Sequence, residues 1–375
     1  MNKPLTQLYF YLSEGNYLAC RASTAQVFRT QGAQATQIGY EKPAAKASQF
    51  LPVGLFRQAV EEALPLGLRA VQITGGEPLL HPDLPDLLDI LGRHDLKVGI
   101  ETNGQGVNAE VAGRLAELPA GACQITVGLQ GADASTHDAL THQPGSFEMA
   151  VQSARLLASA GLPLLVVFTL ARQNAGQLQQ MVALADALGA NKVRFNPLLP
   201  AHARPAKGPA QNNGHLQPLM VAELIAVGRR LERDIAPHTS LALIFDQPPA
   251  FRGLSPTLPT ETLEPCSVMD ALSVLPGGEV SLCGAGYVSP ALLLGKLGVE
   301  TLAQIWQENP LLKELRMQLP GRLEGTCTRC SLRSACLGHC VVQNYFQRGS
   351  FWGPYWFCDD AERAGLFPAS RLEEI

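Results

Sequence analysis

The chain has 375 residues, 46% of them hydrophobic, enough to bury one large core and a smaller satellite. Its formal net charge of −4 and pI near 6.1 give no electrostatic reason to expect nucleic acid or an anionic membrane surface as a partner. The longest apolar run, LPLLVVFTLA at 162–171, is about half of what spans a bilayer. The opening MNKPLTQLYF carries no signal-like segment, so a cytoplasmic protein is expected.

Short apolar runs then alternate with amphipathic ones. Strands are predicted at LYFYL (8–12), AVQIT (70–74), KVGIE (97–101), QITVGL (124–129), LLVVFTL (164–170) and KVRFN (192–196), with helices at 53–64, 83–93, 108–117, 147–160 and 175–188. Six β/α steps imply parallel strands buried on both faces. The alternation suits a doubly wound sheet as well as a partial barrel, and in either one ligand chemistry belongs at the C-terminal ends of the strands.

The residues at those ends are Thr74-Gly75-Gly76-Glu77-Pro78 after the second strand, Thr102-Asn103-Gly104 after the third, Gly128-Leu129-Gln130-Gly131 after the fourth and Asn196-Pro197 after the sixth. Paired glycines let a ligand approach the backbone, and Glu77 offers an acceptor for an ammonium group. Each segment alone also suits an ordinary βα turn. Further on, a helix near 218–234 and an apolar stretch at 241–245 read as a bridge. ALSVLPGGEVSLC, turning at Pro276-Gly277-Gly278, reads as a β-hairpin between Cys266 and Cys283.

The cysteines are the strongest signal. Cys327-x2-Cys330-x5-Cys336-x3-Cys340 follows Cys266-x11-Gly278-x4-Cys283 and precedes Cys358. Disulfides do not suit a chain with an odd total of nine cysteines and no export signal. Zinc suits Cys327-x2-Cys330 taken alone. Seven thiols at fixed short intervals favour iron–sulfur clusters, whose irons want soft anionic ligands.

This constellation resembles the SPASM auxiliary-cluster domain. Together with LYFYLSEG, TGGEPLLHP and ETNG it resembles the radical S-adenosylmethionine (SAM) superfamily, in particular its peptide-modifying SPASM maturases. The resemblance covers nearly the whole chain. It implies an α/β fold: a partial (β/α)6 barrel over 1–200, a loop and bridging segment over 201–262 whose start at 201–217 passes over the barrel mouth, and a SPASM domain over 263–375. One auxiliary cluster, of the [4Fe–4S] kind, would take Cys327, Cys330, Cys336 and Cys358, and a second would take Cys266, Cys283 and Cys340. Gly75, Gly76, Glu77, Pro78, Asn103, Gln130 and Asn196 would face SAM.

The chain departs from the family where radical chemistry starts. The family carries Cys-x3-Cys-x2-Cys after its first strand; here the positions are Asn16, Cys20 and Ser23. Three thiolates normally hold the cluster that chelates SAM and delivers the electron, and an amide and a hydroxyl are poor replacements. Cys123, at the start of the fourth strand, is at the wrong end to substitute. Gly284 stands where the sulfatase-maturing branch places an aspartate base. His339 reads as a neighbour of Cys340, and Phe351, Trp352, Tyr355, Trp356 and Phe357 as packing around a cluster. Two readings stay open. The first is a non-initiating protein that binds peptide, a complete radical SAM enzyme, or both, with SAM bound weakly. The second is a catalyst, either a SAM-binding enzyme using chemistry other than reductive cleavage or a variant of an active radical SAM/SPASM peptide maturase.

Overall fold

A computed structural model describes residues 3–13, 50–119, 121–200, 217–253, 267–284 and 289–373. Asn16, Cys20, Ser23, Cys266 and the stretch 201–216 lie outside these residues. Six strands form where the sequence places them: β1 (Gln7–Tyr11), β2 (Ala70–Thr74), β3 (Lys97–Thr102), β4 (Cys123–Leu129), β5 (Leu164–Leu170) and β6 (Lys192–Pro197). They pair side by side, all parallel. The stretch read as a bridge instead adds a further parallel strand, β7 (Ala242–Phe245), beside β6. Its alternation of buried and half-buried residues suits a sheet edge better than a linker.

The expected hairpin is present as β8 (Ala271–Val274) and β9 (Glu279–Ser281), which β10 (Leu293–Lys296) extends. It does not stand apart. β8 runs parallel to β1 on the side away from β2, so one open sheet of ten strands carries both parts of the chain. The thiol-bearing half is thereby registered to the strand ends residue by residue.

Helices α1 (Val53–Ala63), α2 (Leu84–Gly92), α3 (Ala109–Ala116), α5 (Ser146–Ser159) and α6 (Leu178–Ala187) follow the apolar spacing of the sequence. An unforeseen helix, α4 (Ala134–Thr141), buries only His137, so its sequence has almost no apolar face to read. Its start is set instead by Asp133, whose side chain accepts from the Thr136 N–H. Helix α7 (Val221–Arg230) runs on into a π-helical turn at Leu231–Ile235. The C-terminal part is helical: α8 (Leu302–Glu308), α9 (Pro310–Gln318), the short α10 (Thr326–Arg329) and α11 (Arg333–Cys336), α12 (Val341–Arg348) and α13 (Trp356–Arg363). The Trp306 indole N–H donates to the Lys3 carbonyl at 2.8 Å, fastening α8 to the start of the chain.

The strands are not apolar on both faces. Val71, Ile73, Val98, Ile100, Val193 and Phe195 join the main core under the helices. Their neighbours Gln72, Thr74, Glu101, Thr126, Arg194 and Asn196 are buried on the opposite face. The sheet therefore encloses a polar interior, in which Leu165 and Val167 of β5 form a separate apolar pair. Buried polar groups cost stability unless they are partnered, so a polar interior points to a site.

Candidate functional site: the strand ends and the four-thiol cavity

Gly75 has φ 89, and a Cβ there would meet Leu12 N at 2.8 Å and the Tyr11 backbone at 2.9 Å. The glycine lets β2 turn hard against the end of β1. Leu12 N donates to Thr74 O at 2.9 Å and Gly76 N to Ser13 O at 3.1 Å. His81 then fixes the returning chain. Its Nδ1 accepts from Asp83 N at 3.1 Å, so the proton sits on Nε2, which donates to Leu51 O at 3.0 Å.

Glu77 is 6% exposed and binds this corner together. One carboxylate oxygen accepts from Leu79 N (3.0 Å) and the Thr102 hydroxyl (2.8 Å), and the other from Asn103 N (2.7 Å). Among the described residues the second oxygen has one lone pair without a donor. Burial pushes the carboxyl up to about 7 against the pull of those donors. Nearby, the Thr74 hydroxyl donates to Glu101, a buried carboxyl at 2.9 Å.

The other strand-end residues sit at the same rim. Gln130 N donates to His137 Nδ1 at 3.1 Å, and its carbonyl accepts from Asn174 Nδ2 at 2.9 Å. Asn196 is fully buried, and neither its Oδ1 nor its Nδ2 has a hydrogen-bond partner among the described residues. A buried amide left without partners costs several times what a typical hydrogen bond contributes, so this side chain is set up for an external partner.

Burial pushes His137 down to about 4, and its ring makes an edge contact with Phe147. A histidine whose folded pKa lies below its unfolded value of about 6.5 contributes stability above pH 6.5 that is lost as pH falls toward 4. The shift corresponds to about 3 kcal/mol. In denaturant titrations between pH 7 and 4, His137→Leu therefore loses its disadvantage relative to wild type as the pH drops. A difference that stays constant with pH contradicts the burial of a neutral ring.

Four thiols converge in the C-terminal part. Cys327, Cys330, Cys336 and Cys358 line one cavity, with Pro248, Pro249 and Ala250 from the segment after β7 as its wall. Burial pushes Cys327 up to about 11 and Cys336 to about 12, and Cys358 well above the ordinary thiol value; each also feels neighbouring cysteines of the set. The thiolate is the metal-binding form, so these groups ionise only when a bound centre supplies the compensating positive charge. No three His, Cys, Asp or Glu side chains among the described residues close to the spacing of a single ion. Soft donors spread around one shared cavity fit a multi-iron centre. Cys283 and Cys340 pack half-buried against the core.

Sequence reasoning missed what joins these regions. Gly284 follows Cys283, and a Cβ there would fall 1.9 Å from the Tyr11 hydroxyl. The phenol of β1 thus fills the place of a side chain at position 284, while Gly75 packs close against the backbone of the same tyrosine. Cys283 itself has φ 42, and its carbonyl accepts from the Ser281 hydroxyl at 2.6 Å. A positive φ cannot be read from a cysteine, though the adjoining glycine is a weak cue. Of the aromatic set, Tyr355 lines the thiol cavity, while Phe351 stacks on Tyr345 at 4.7 Å.

Comparison with known proteins agrees with this geometry. The radical SAM superfamily model matches residues 30–185, and the iron–sulfur cluster-binding domain SPASM matches 266–331. The chain is 32% identical over 298 residues to the mycofactocin maturase MftC of Mycobacterium ulcerans, spanning 76% of this chain and 73% of that protein. The chain belongs to the radical SAM/SPASM peptide-maturase family. Another relative of this radical SAM/SPASM protein is the PqqA peptide cyclase of Streptomyces rochei, 29% identical over 289 residues, 76% of this chain and 74% of that one. Among solved structures, Streptococcus suis SuiB bound to the precursor peptide SuiA superposes with a TM-score of 0.67 at 17% identity, over 96% of this chain and 76% of that one. The anSMEcpe structure with bound AdoMet and Cp18Cys peptide gives 0.68 at 16% identity, over 96% and 95%. These two likenesses establish the fold. Family membership implies iron–sulfur clusters and SAM as the cofactors, and no helix of the described residues is long and apolar enough to cross a membrane.

Proposed function

We propose that this radical SAM/SPASM protein serves peptide maturation without starting radical chemistry. It binds a peptide, a complete radical SAM enzyme, or both, and carries two auxiliary clusters. The observation that carries this reading is the residue set Asn16, Cys20 and Ser23, which offers one thiolate where the family uses three. One thiolate does not hold a [4Fe–4S] cluster. The relatives named as a maturase and a peptide cyclase, and the fold shared with a peptide-bound protein, support a peptide as the substrate class.

In this reading Cys327, Cys330, Cys336 and Cys358 hold one auxiliary cluster and Cys266, Cys283 and Cys340 the other. The clusters supply electron relay or cross-linking of the C-terminal part. Gly75, Gly76, Glu77, Pro78, Asn103, Gln130 and Asn196 face SAM at the strand ends, where the free lone pair of Glu77 is the acceptor for its ammonium group. A cation at that oxygen favours the carboxylate over the acid. With Glu77 near 7 in the free protein, SAM binding at pH 7 releases about half a proton. Calorimetry in buffers of different ionisation enthalpy reads this directly; a heat independent of buffer contradicts the role of Glu77. The affinity is weak, because the iron chelate is missing.

The function itself is tested by co-expressing the neighbouring genes with and without this protein and reading the peptide product by mass spectrometry. Product that depends on this chain supports the partner role, and equal product without it defeats that role. The second reading, an active maturase, is favoured by the fully formed strand-end corner around Gly75 and Glu77. It is separated from the first by deoxyadenosine formation.

A further inference from the structure

The chain leaves β4 through Gln130-Gly131-Ala132, and side chains from other elements take three polar groups of that short backbone. Gln130 N donates to His137 Nδ1 at 3.1 Å, Gln130 O accepts from Asn174 Nδ2 at 2.9 Å, and Ala132 N donates to Gln177 Oε1 at 3.0 Å. His137 belongs to α4, whereas Asn174 and Gln177 lie between β5 and α6.

Each holding group is itself fixed. Asn174 is fully buried, and its Oδ1 accepts from Ala171 N at 2.8 Å. Its Nδ2 donates a second time, to Thr169 O at 2.8 Å. The last register pair of β4 and β5 is Leu129 with Phe168. One residue further on, a single side-chain amide serves as the rung between the two strand ends. His137 is 3% exposed, and because its Nδ1 accepts, its proton sits on Nε2. Gln177 Nε2 donates to Thr136 Oγ1 at 2.9 Å and to Asp133. Gly131 leaves the loop no room to relax: a Cβ there would lie 2.5 Å from His137 N and 2.7 Å from Thr136 Cβ.

The Gln130 side chain takes no part in this arrangement. Among the described residues it makes no hydrogen bond, and it is half-buried. Leu129 packs into the core under the helices, so by the alternation of a strand Gln130 carries its amide on the interior side. It is level there with Thr169, whose register partner is Asn196. A side chain whose backbone is held at both its N–H and its carbonyl has few orientations left to lose when a ligand binds.

We propose that His137, Asn174 and Gln177 are positioning residues for SAM binding, which fix the Gln130–Ala132 backbone so that the Gln130 amide stands ready at the strand-end rim. This rests on the reading of Gln130 as a residue that faces SAM.

The test is equilibrium dialysis of radiolabelled SAM against the reconstituted, full-length protein. Gln130→Ala sets the scale and is expected to weaken SAM binding about tenfold, the worth of one good hydrogen bond. His137→Leu removes the acceptor for Gln130 N and is expected to weaken it by a similar factor. The double variant is expected to bind no more weakly than Gln130→Ala alone, since His137 acts through Gln130. His137→Asn is the rescue: its Oδ1 takes the place of Nδ1 as acceptor, and affinity returns to within about twofold of wild type. Asn174→Asp keeps the acceptor for Ala171 N but turns a carboxylate oxygen toward two carbonyls, and is expected to weaken SAM about tenfold.

Wild-type affinity in His137→Leu overturns the proposal. So does a double variant that loses the product of both single effects, which would make His137 independent of Gln130. A loss that His137→Asn fails to restore assigns the ring to packing alone and equally overturns it. Should His137→Leu or Asn174→Asp fail to fold, the other is compared with Gln130→Ala and decides. Wild-type affinity in Gln130→Ala is a different failure, since it defeats the reading of Gln130 as facing SAM before the positioning residues are tested.

Discussion

Replacing Cys358 with alanine lowers the iron bound per chain from about eight to about four and undoes the packing of the C-terminal helices. Cys358 sits in the first turn of α13, buried beside Cys327, Cys330 and Cys336. Without a centre, these thiols are neutral groups around a cavity, and α10 is held to α13 mainly by Thr326 and Arg329 on the Glu362 carboxylate. In small structural metal sites the binding free energy is folding free energy, on the order of 10 kcal/mol for zinc domains. The expected result is therefore loss of near-ultraviolet circular dichroism from the Trp352–Phe357 region and proteolysis between 326 and 363. Prolonged treatment of wild type with an iron chelator gives the same outcome. Cys123→Ala is the control: this buried thiol starts β4 at the far end of the strands, so it leaves the iron content unchanged. Full iron retention in Cys358→Ala refutes the ligand set.

Glu77→Ala has the largest expected effect on the other site. It leaves Leu79 N, Asn103 N and the Thr102 hydroxyl without their acceptor in a buried corner. Each orphaned donor costs about 1–3 kcal/mol, so the loss is about 3 kcal/mol or more after relaxation. Thr102→Val removes one of the three bonds and also leaves Gly104 N without its acceptor, at a cost of about 2 kcal/mol. Glu77 also leaves a pH signature of its own. Its folded pKa, about 7, lies above the unfolded value of 4.5, so the stability it contributes is full below pH 4.5 and is lost as pH rises through 7. This slope is opposite in sign to that of His137, and Glu77→Gln abolishes it. Denaturant midpoints of wild type and Glu77→Gln that run parallel between pH 5 and 8 contradict the raised pKa.

Much of this was legible in the sequence because each feature has a local cause. Continuous apolar runs give β1 to β6 nearly residue for residue, and Pro276-Gly277-Gly278 gives the hairpin. The cysteine spacing puts Cys327, Cys330, Cys336 and Cys340 in one run, and it is the family resemblance that sets Cys358 with the first three and Cys340 apart. What stayed hidden depends on partners distant in sequence. The short run at 242–245 looks like a linker until β6 is beside it. The strands look apolar on both faces because Leu165 and Val167 lie inside, whereas Gln72, Glu101 and Arg194 face inward from strands whose remaining residues are apolar. Glu77 reads as a ligand residue, but its first task is to join the ends of β2 and β3. Tyr11 against Gly284 and Asp246 against His339 are pairs that no single segment announces.

The proposal that this chain does not initiate radical chemistry is tested most directly by supplying the reconstituted protein with SAM and a strong reductant, with and without peptide, and measuring 5′-deoxyadenosine. With Asn16 and Ser23 in place of two thiolates, the amount stays at background, and iron stays near eight per chain. Deoxyadenosine formed at turnover rates and abolished by Cys20→Ala, with iron near twelve per chain, would establish a working third cluster and contradict the proposed function.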